Sequence, residues 1–457
     1  MERESLTKVG VALLAASSLG FVWYFSRPLP PTGKTVIRHL TYETGPEQMA
    51  LLNEIKRRFE AENPDVEVQV EFNSTAREKI YVEAASGTAP DTFYAVTDDI
   101  PRLALSNAIV NISDLARRDK IDLSVYFPEV VNALQWPQQS GPVLKDTGRL
   151  YAMPIHFSTD VLFYNVDAFK KANVPLPTDN WTWDQMIDAA HKLTIRKNGR
   201  IVQFGMFMPD SGAVIQGNGG QIFNADYTKC LINSPAALEA MQELKNIRFK
   251  ENIAPTPAQV QETNSIQMFK LGQVAMLPGR TYMSVDFNKI TDFTYDCTLV
   301  PGMKKAVERL AVGGICMSNI ARGLDPAKMS PDDRLRIEKR RNAAWRWAKF
   351  YCSPDGGMQL LSKEKNCVTA VRAHAYSKDY FLKPPPKNAI AMVTSLKHAV
   401  ITTPPIVTAS EYLNSVQVPG FDDMLRTQDA DLPAMLRDYQ QKTDAILATE
   451  PKKGAQP

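Results

Sequence analysis

From residue 36 onward the spacing of apolar positions switches repeatedly between a period of two and one near 3.6, which predicts strands alternating with helices. Residues 36–42 read as a first strand. Residues 46–62 follow as a helix with Met49, Leu52, Ile55 and Phe59 on one face, ended by Asn63-Pro64. Val66, Val68, Val70 and Phe72 alternate with polar residues as a second strand. A helix over 75–86 closes at Gly87, and a third strand covers 92–96. Successive units of this kind predict a parallel sheet that gathers the loops after Tyr42, Phe72 and Val96 on one edge, where such sheets bind ligands.

A second series starts at Leu150. Strands are predicted at 161–165, 203–208, 274–277, 297–300 and 311–318. Thr182 opens a helix with Gln185 placed to complete a capping box, and Ser234-Pro235 opens another with Leu238, Met241, Leu244 and Ile247 inward. Further helices are predicted at 334–351 and 431–449. The chain therefore reads as α/β with two lobes, a division that its 457 residues also favour.

Composition narrows the function. A net charge of +3 with interspersed signs gives no basic stripe for nucleic acid. The five cysteines (Cys230, Cys297, Cys316, Cys352, Cys367) lack the CxxC spacing of a zinc or redox site and read as buried thiols, with a Cys352–Cys367 disulfide as the alternative. No metal or cofactor is expected. No GxSxG elbow, HExxH pair or P-loop is present, and the five histidines are far apart in sequence, so an enzyme is not expected; a glycoside hydrolase using paired carboxylates is the alternative. Residues 9–25 form an uncharged, mostly apolar run between Lys8 and Arg27, which predicts an export signal or, because bulky residues end it, a retained membrane anchor. No cysteine precedes Cys230, so a lipid attached to a cysteine after the signal is ruled out.

Four stretches in order carry a resemblance. They are 59–68 (FEAENPDVEV), 85–91 (ASGTAPD), 149–154 (RLYAMP) leading to Phe163-Tyr164-Asn165 and Trp181-Thr182-Trp183, and 269–276 (FKLGQVAM). The chain resembles family 1 extracellular solute-binding proteins, the group that includes maltose-binding protein, over about 36–448. The resemblance implies a periplasmic-binding-protein-like fold of two discontinuous lobes: an N-terminal segment 1–34, lobe one from 35–156 with 314–370, lobe two from 157–313 with 371–450, and a tail 451–457. It places hinge crossings near 155–159, 312–316 and 368–372. The implied role is an extracytoplasmic, monomeric component that captures a sugar and hands it to the permease of an ABC transporter. A non-sugar solute (polyol, phosphate ester, polyamine) or a tethered sensor is the alternative.

Sugars present hydroxyls and apolar C–H faces, so the cleft should combine aromatic platforms with carboxylates, amides and guanidinium groups. Candidates at strand ends are Glu43, Thr44, Asp98 and Asp99 in the first lobe, and Asp210, Gln216, Arg280 and Tyr282 in the second. His156, Ser158, Gly313 and Gly314 are candidates at the crossings. The resemblance puts Asp98 where the family often has a sugar-binding carboxylate and Tyr282 where it has a cleft aromatic. Ser158 stands where some relatives carry an acid. Asp98 and Asp99 also suit capping of the helix near Ile100, and residues 216–220 also suit a plain turn. Trp136, Trp345 and Trp347 are left out of the site, since two residues on a helix separated by two positions cannot share a face.

Overall fold

A computed structural model describes residues 33–136, 148–363 and 367–451. The apolar run 9–25 and residues 452–457 lie outside the described residues. Strand β1 (Thr35–Thr41), helix α1 (Pro46–Glu62) and β2 (Val66–Phe72) form the first unit, with β1 and β2 parallel in register from Thr35↔Val66 to Thr41↔Phe72. Helix α1 buries Leu52, Ile55 and Phe59, the stripe that its period predicted. Helix α2 (Ala76–Ser86) ends at Gly87, whose φ of 75° is the left-handed turn that glycine adopts freely, and β3 (Thr92–Val96) follows.

Strand β4 (Ala152–Ser158) joins this sheet, while β5 (Asp160–Asn165) belongs to the next one. Thr159 alone separates the two strands. Helix α3 (Trp183–Leu193) starts with the full capping box: Thr182 Oγ1 accepts from the Gln185 amide at 3.2 Å and Gln185 Oε1 accepts from the Thr182 amide at 2.9 Å. Strand β6 (Arg200–Met206) begins earlier than predicted, because the turn at Gly199 folds it into a hairpin on Ile195–Lys197. Helix α4 (Pro235–Lys245), β7 (Val274–Arg280), β8 (Tyr295–Thr298), β9 (Ala311–Met317), α5 (Pro331–Cys352) and α6 (Leu432–Leu447) complete the main elements.

The first sheet has six strands in the order Val368–Thr369, β4, β9, β3, β1, β2, and the second has five in the order β8, β5, β7, β6, Ile195–Lys197. In β5 successive side chains point to opposite faces, so Val161 and Phe163 join the apolar cluster that extends under the first sheet, whereas Leu162 and Tyr164 pack with Met206, Met276 and Tyr412. Both faces are covered, and all six residues of β5 are buried.

The chain passes between sheets at Thr159, again at Leu310, and a third time between Tyr376 and Asn388. Crossings were expected near 312–316 and 368–372; β9 lies inside the first sheet between β3 and β4, and Val368–Thr369 pairs with β4. Backbone bonds of interior strands cannot be given up at a hinge, so the passages fall where the ladders stop. A short parallel ladder, Glu308–Arg309 on Ala399–Val400, reinforces the second passage.

Several family-like motifs build the fold. Asp91 is buried, accepts the Arg38 amide at 2.8 Å and takes a two-pronged contact from Arg340 at 3.0 and 2.9 Å. Trp345 and Trp347 are both buried, the first donating to Asp119 at 2.8 Å and the second packed among His39, Phe59 and Tyr351. All five cysteines are thiols, four of them buried and Cys367 half-buried, so the alternative Cys352–Cys367 disulfide is not formed.

Candidate functional site

Strand direction decides where the site lies. The carboxyl ends of β1, β2 and β3 share an edge with the end of β4 at Ser158 and the start of β9, since Ala311 pairs with Ser158 and Gly313 with Val96. In the second sheet the carboxyl ends of β6, β7 and β8 share an edge with the start of β5, Arg280 pairing with Asp160 and Thr298 with Leu162. Because Ser158 and Asp160 are separated by one residue, the two edges meet. Ligand-binding ends of both sheets therefore border one junction.

Two tyrosines stand open there. Tyr42, just past β1, is 42% exposed, and Tyr282, just past β7, is 44% exposed. Desolvation at its hydroxyl end, then Cys367, Glu43 and Tyr282, raise the Tyr42 phenol, while its hydrogen bond with Tyr94 opposes the rise. Tyr42 rests edge-on against Tyr94 with ring centres 4.7 Å apart, and Tyr94 shares a 2.9 Å hydrogen bond with His156 Nε2. Gly313 permits that bond. A Cβ there would lie 2.2 Å from Tyr94 Oη and 2.6 Å from the histidine nitrogen. Burial lowers His156 to a pKa of about 4, leaving it a neutral prop.

Asp98 sits in the turn Thr97–Asp99, half-buried. Burial pushes its carboxyl up to about 6, with Asp99 adding to the rise and Arg77 and Arg280 opposing it. Burial also raises Glu43, in the loop after β1. Thr44 is exposed beside it. Asp99 is turned inward, accepting from Arg77 Nε at 2.8 Å and Tyr81 Oη at 2.7 Å. Neither aspartate makes a side-chain cap to the helix at Ile100.

On the opposite side, Arg280 Nη1 donates to the carbonyl oxygens of Ser158 at 3.2 Å and Arg309 at 2.9 Å. Arg309 grips Asp160 through two nitrogens, Nε at 2.7 Å and Nη2 at 2.8 Å, and reaches Asp210 with Nη1 at 3.0 Å. Burial opposes the Arg309 charge, yet Asp210 and Asp160 hold its guanidinium above the ordinary range. Glu308 is buried with Oε1 unpartnered; burial and then Asp160 raise its carboxyl well above the usual range. Asp160, Asp210, Glu308 and Arg309 line a recess with Trp183, Pro209 and Pro301.

The structure thus brings Glu43, Asp98, Arg280 and Tyr282 to one junction, with His156 and Gly313 behind it and Thr44 at its rim. Asp210 caps the helix Ser211–Gly217, its Oδ1 accepting from Ala213 at 2.9 Å, while its Oδ2 faces Arg309. Other candidates have internal partners. The Ser158 hydroxyl is buried against Thr281 Oγ1 at 3.1 Å. Gly314 is a packing glycine whose Cβ would lie 2.7 Å from Met153 O. Gln216 belongs to the last turn of Ser211–Gly217, so 216–220 is a helix end and turn rather than an open amide loop. Sequence reasoning missed Tyr42, Tyr94 and Arg309. Tyr42 could have been found, as the aromatic that ends the first strand at the ligand edge.

Among the described residues no three metal-ligating side chains gather, and no helix is long and apolar enough to cross a membrane. The chain matches the family described as "Bacterial extracellular solute-binding protein" over residues 43–358. It belongs to that family. Its fold is that of solved two-lobed binding proteins: it is 25% identical to the ABC substrate-binding protein Lmo0181 from Listeria monocytogenes in complex with cycloalternan, with a TM-score of 0.75 over 91% of this chain and 99% of that one. Maltose-bound T. maritima MalE3 superposes with a TM-score of 0.70 at 17% identity, covering 90% of this chain and 100% of that one. By sequence it is 29% identical over 147 residues to the sn-glycerol-3-phosphate-binding periplasmic protein UgpB of Escherichia coli (strain K12), 31% of this chain and 32% of that protein. The chain thus spans about a third of the length of the curated relatives it matches.

Proposed function

We propose that this protein is the extracytoplasmic binding component of a carbohydrate ABC transporter, non-enzymatic, which captures a sugar or oligosaccharide at the junction and delivers it to a membrane permease. The observation that carries this reading is the pair of open tyrosines, Tyr42 and Tyr282, on the ligand edges of two different sheets, with Asp98 and Arg280 at strand ends on the same two edges. Aromatic faces suit the C–H surfaces of a pyranose, and the acid and guanidinium suit its hydroxyls. Glu43, Thr44, Asp98, Arg280 and Tyr282 are the proposed contacts, joined by Tyr42. The neighbours bound to cycloalternan and maltose support a carbohydrate solute. Tethering through residues 9–25 is part of the same proposal.

Contacts from both lobes favour a closed form, so binding and closure are linked. A thermal-shift screen of mono-, di- and oligosaccharides and polyols, with hits confirmed by calorimetry, tests the reading. A ligand at 100 times its Kd adds roughly 2.7 kcal/mol to the folded state. Silence across the panel would overturn the carbohydrate reading. A second reading, a phosphorylated polyol, draws on the similarity to the glycerol-3-phosphate-binding protein and on the Arg280 guanidinium.

A further inference from the structure

Two neighbouring residues at the end of β7 hold the first two passages between the sheets. Arg280 Nη1 donates to the carbonyl oxygen of Ser158, the residue before Thr159, at 3.2 Å, and to that of Arg309, the residue before Leu310, at 2.9 Å. Thr281 adds two contacts to the first passage. Its amide donates to the Thr159 carbonyl oxygen at 2.9 Å, and its buried hydroxyl lies 3.1 Å from Ser158 Oγ. The side chain of Arg309 closes the ring by gripping Asp160, the residue after Thr159, with Nε at 2.7 Å and Nη2 at 2.8 Å. Among the described residues no carboxylate pairs with Arg280, since Arg309 holds Asp160 and Asp210. Its hydrogen bonds go instead to the backbone at both passages.

Where a ladder stops, its last carbonyl groups need donors from elsewhere. A guanidinium nitrogen carries its N–H groups in a rigid plane, so Nη1 can serve both carbonyls only while the two oxygens keep their present spacing. A turn of one lobe on the other swings the chain at Thr159 and Leu310 and moves these oxygens relative to Arg280. At the angle seen here the two ligand edges border one junction, so turning away from it parts them. The open Tyr282 comes next in the chain, in the same single turn, Thr281–Met283, as Thr281. The platform offered to a solute is thus built on the segment that fastens the passages. We propose that Arg280 and Thr281 form a clasp that biases the lobes toward the angle of this structure, Arg280 acting as a positioning residue that preorganises the junction for its solute. The benefit to solute capture rests on the binding-protein reading, whereas the clasp is measured without solute.

X-ray scattering from the solute-free full chain tests the proposal. Arg280→Met removes both bonds to the passages and should raise the radius of gyration. Arg280→Lys keeps a cation able to reach a carbonyl oxygen and should raise it less. Such grading separates a clasp from a merely structural role, which would lower the melting temperature and leave the radius of the folded protein alone. Thr281→Val keeps the amide bond to Thr159, loses the hydroxyl contact and should shift the radius in the same direction; it serves if Arg280→Met does not fold. Hydrogen exchange on the unaltered protein needs no variant: the Thr281 amide should be protected through its bond to Thr159. Equal radii for the folded variants and the unaltered chain, or free exchange at Thr281, would overturn the clasp and leave the binding-protein reading intact. Silence of the carbohydrate panel with the expected rise in radius would instead remove that reading and leave the clasp standing.

Discussion

At the residue scale, Gly313 shows how a backbone atom count can decide a binding surface. Tyr42 is supported by Tyr94, Tyr94 by His156, and the contact between the last two exists because residue 313 has no Cβ. Gly313→Ala should destabilise the protein by about 1–3 kcal/mol and weaken solute binding, because the tyrosine prop must move. Urea unfolding and calorimetry check the two effects; unchanged values in both would remove Tyr94 from the account. The histidines set an acid limit. Burial lowers His39 to about 3 and His156 to about 4, both below the ordinary histidine range. The unfolded chain therefore takes up protons first, and stability is lost as pH falls from about 6.5 toward these values, by at most about 1.4 kcal/mol per histidine per pH unit. Asp98 works in the opposite sense, since its raised carboxyl favours the folded state as pH falls from about 6 to about 4. Urea midpoints at pH 7 and pH 5 measure the sum, and His39→Gln should flatten the loss.

At the scale of the element, two local devices differ in what they protect. The capping box at Thr182 is exposed and both its hydrogen bonds stay within its own helix turn, so Thr182→Ala should cost about 1 kcal/mol in unfolding experiments. Asp160 is another matter. It is 5% exposed, opens β5 immediately after the first passage between sheets, and is held by Arg309 beside the second passage. Removing its charge strands a largely enclosed guanidinium with Asp210 alone, and Asp160→Asn should cost about 3–5 kcal/mol, read as a lowered melting temperature. A loss below one kcal/mol would show that Arg309 re-pairs with the remaining acids.

On the scale of the molecule, the two ligand edges come from different sheets, and the three passages between them run through Thr159, Leu310 and the stretch between Tyr376 and Asn388. Three chain passages and one short ladder join the sheets, so a change in the angle between lobes is the motion expected on binding. X-ray scattering should show a smaller radius of gyration once a solute bridges Tyr42 and Asp98 to Tyr282 and Arg280. Binding without compaction would refute closure while leaving capture in place.

The local pattern was enough for much of this. Period and caps determined α1 from Pro46 to Glu62, β2 from Val66 to Phe72, the turn at Gly87 and the box at Thr182, because each depends on neighbours within a few residues. Parallel order placed Glu43 and Asp98 on one edge, and the family resemblance pointed to Tyr282 as a cleft aromatic. Tertiary structure alone decided that β9 is an interior strand, that Asp99 and Ser158 are spent internally, and that Arg309, distant in sequence from Asp160 and Asp210, joins them. Partners that are not neighbours within one element leave no periodic trace, since their meeting depends on how whole sheets stack and where the chain crosses between them.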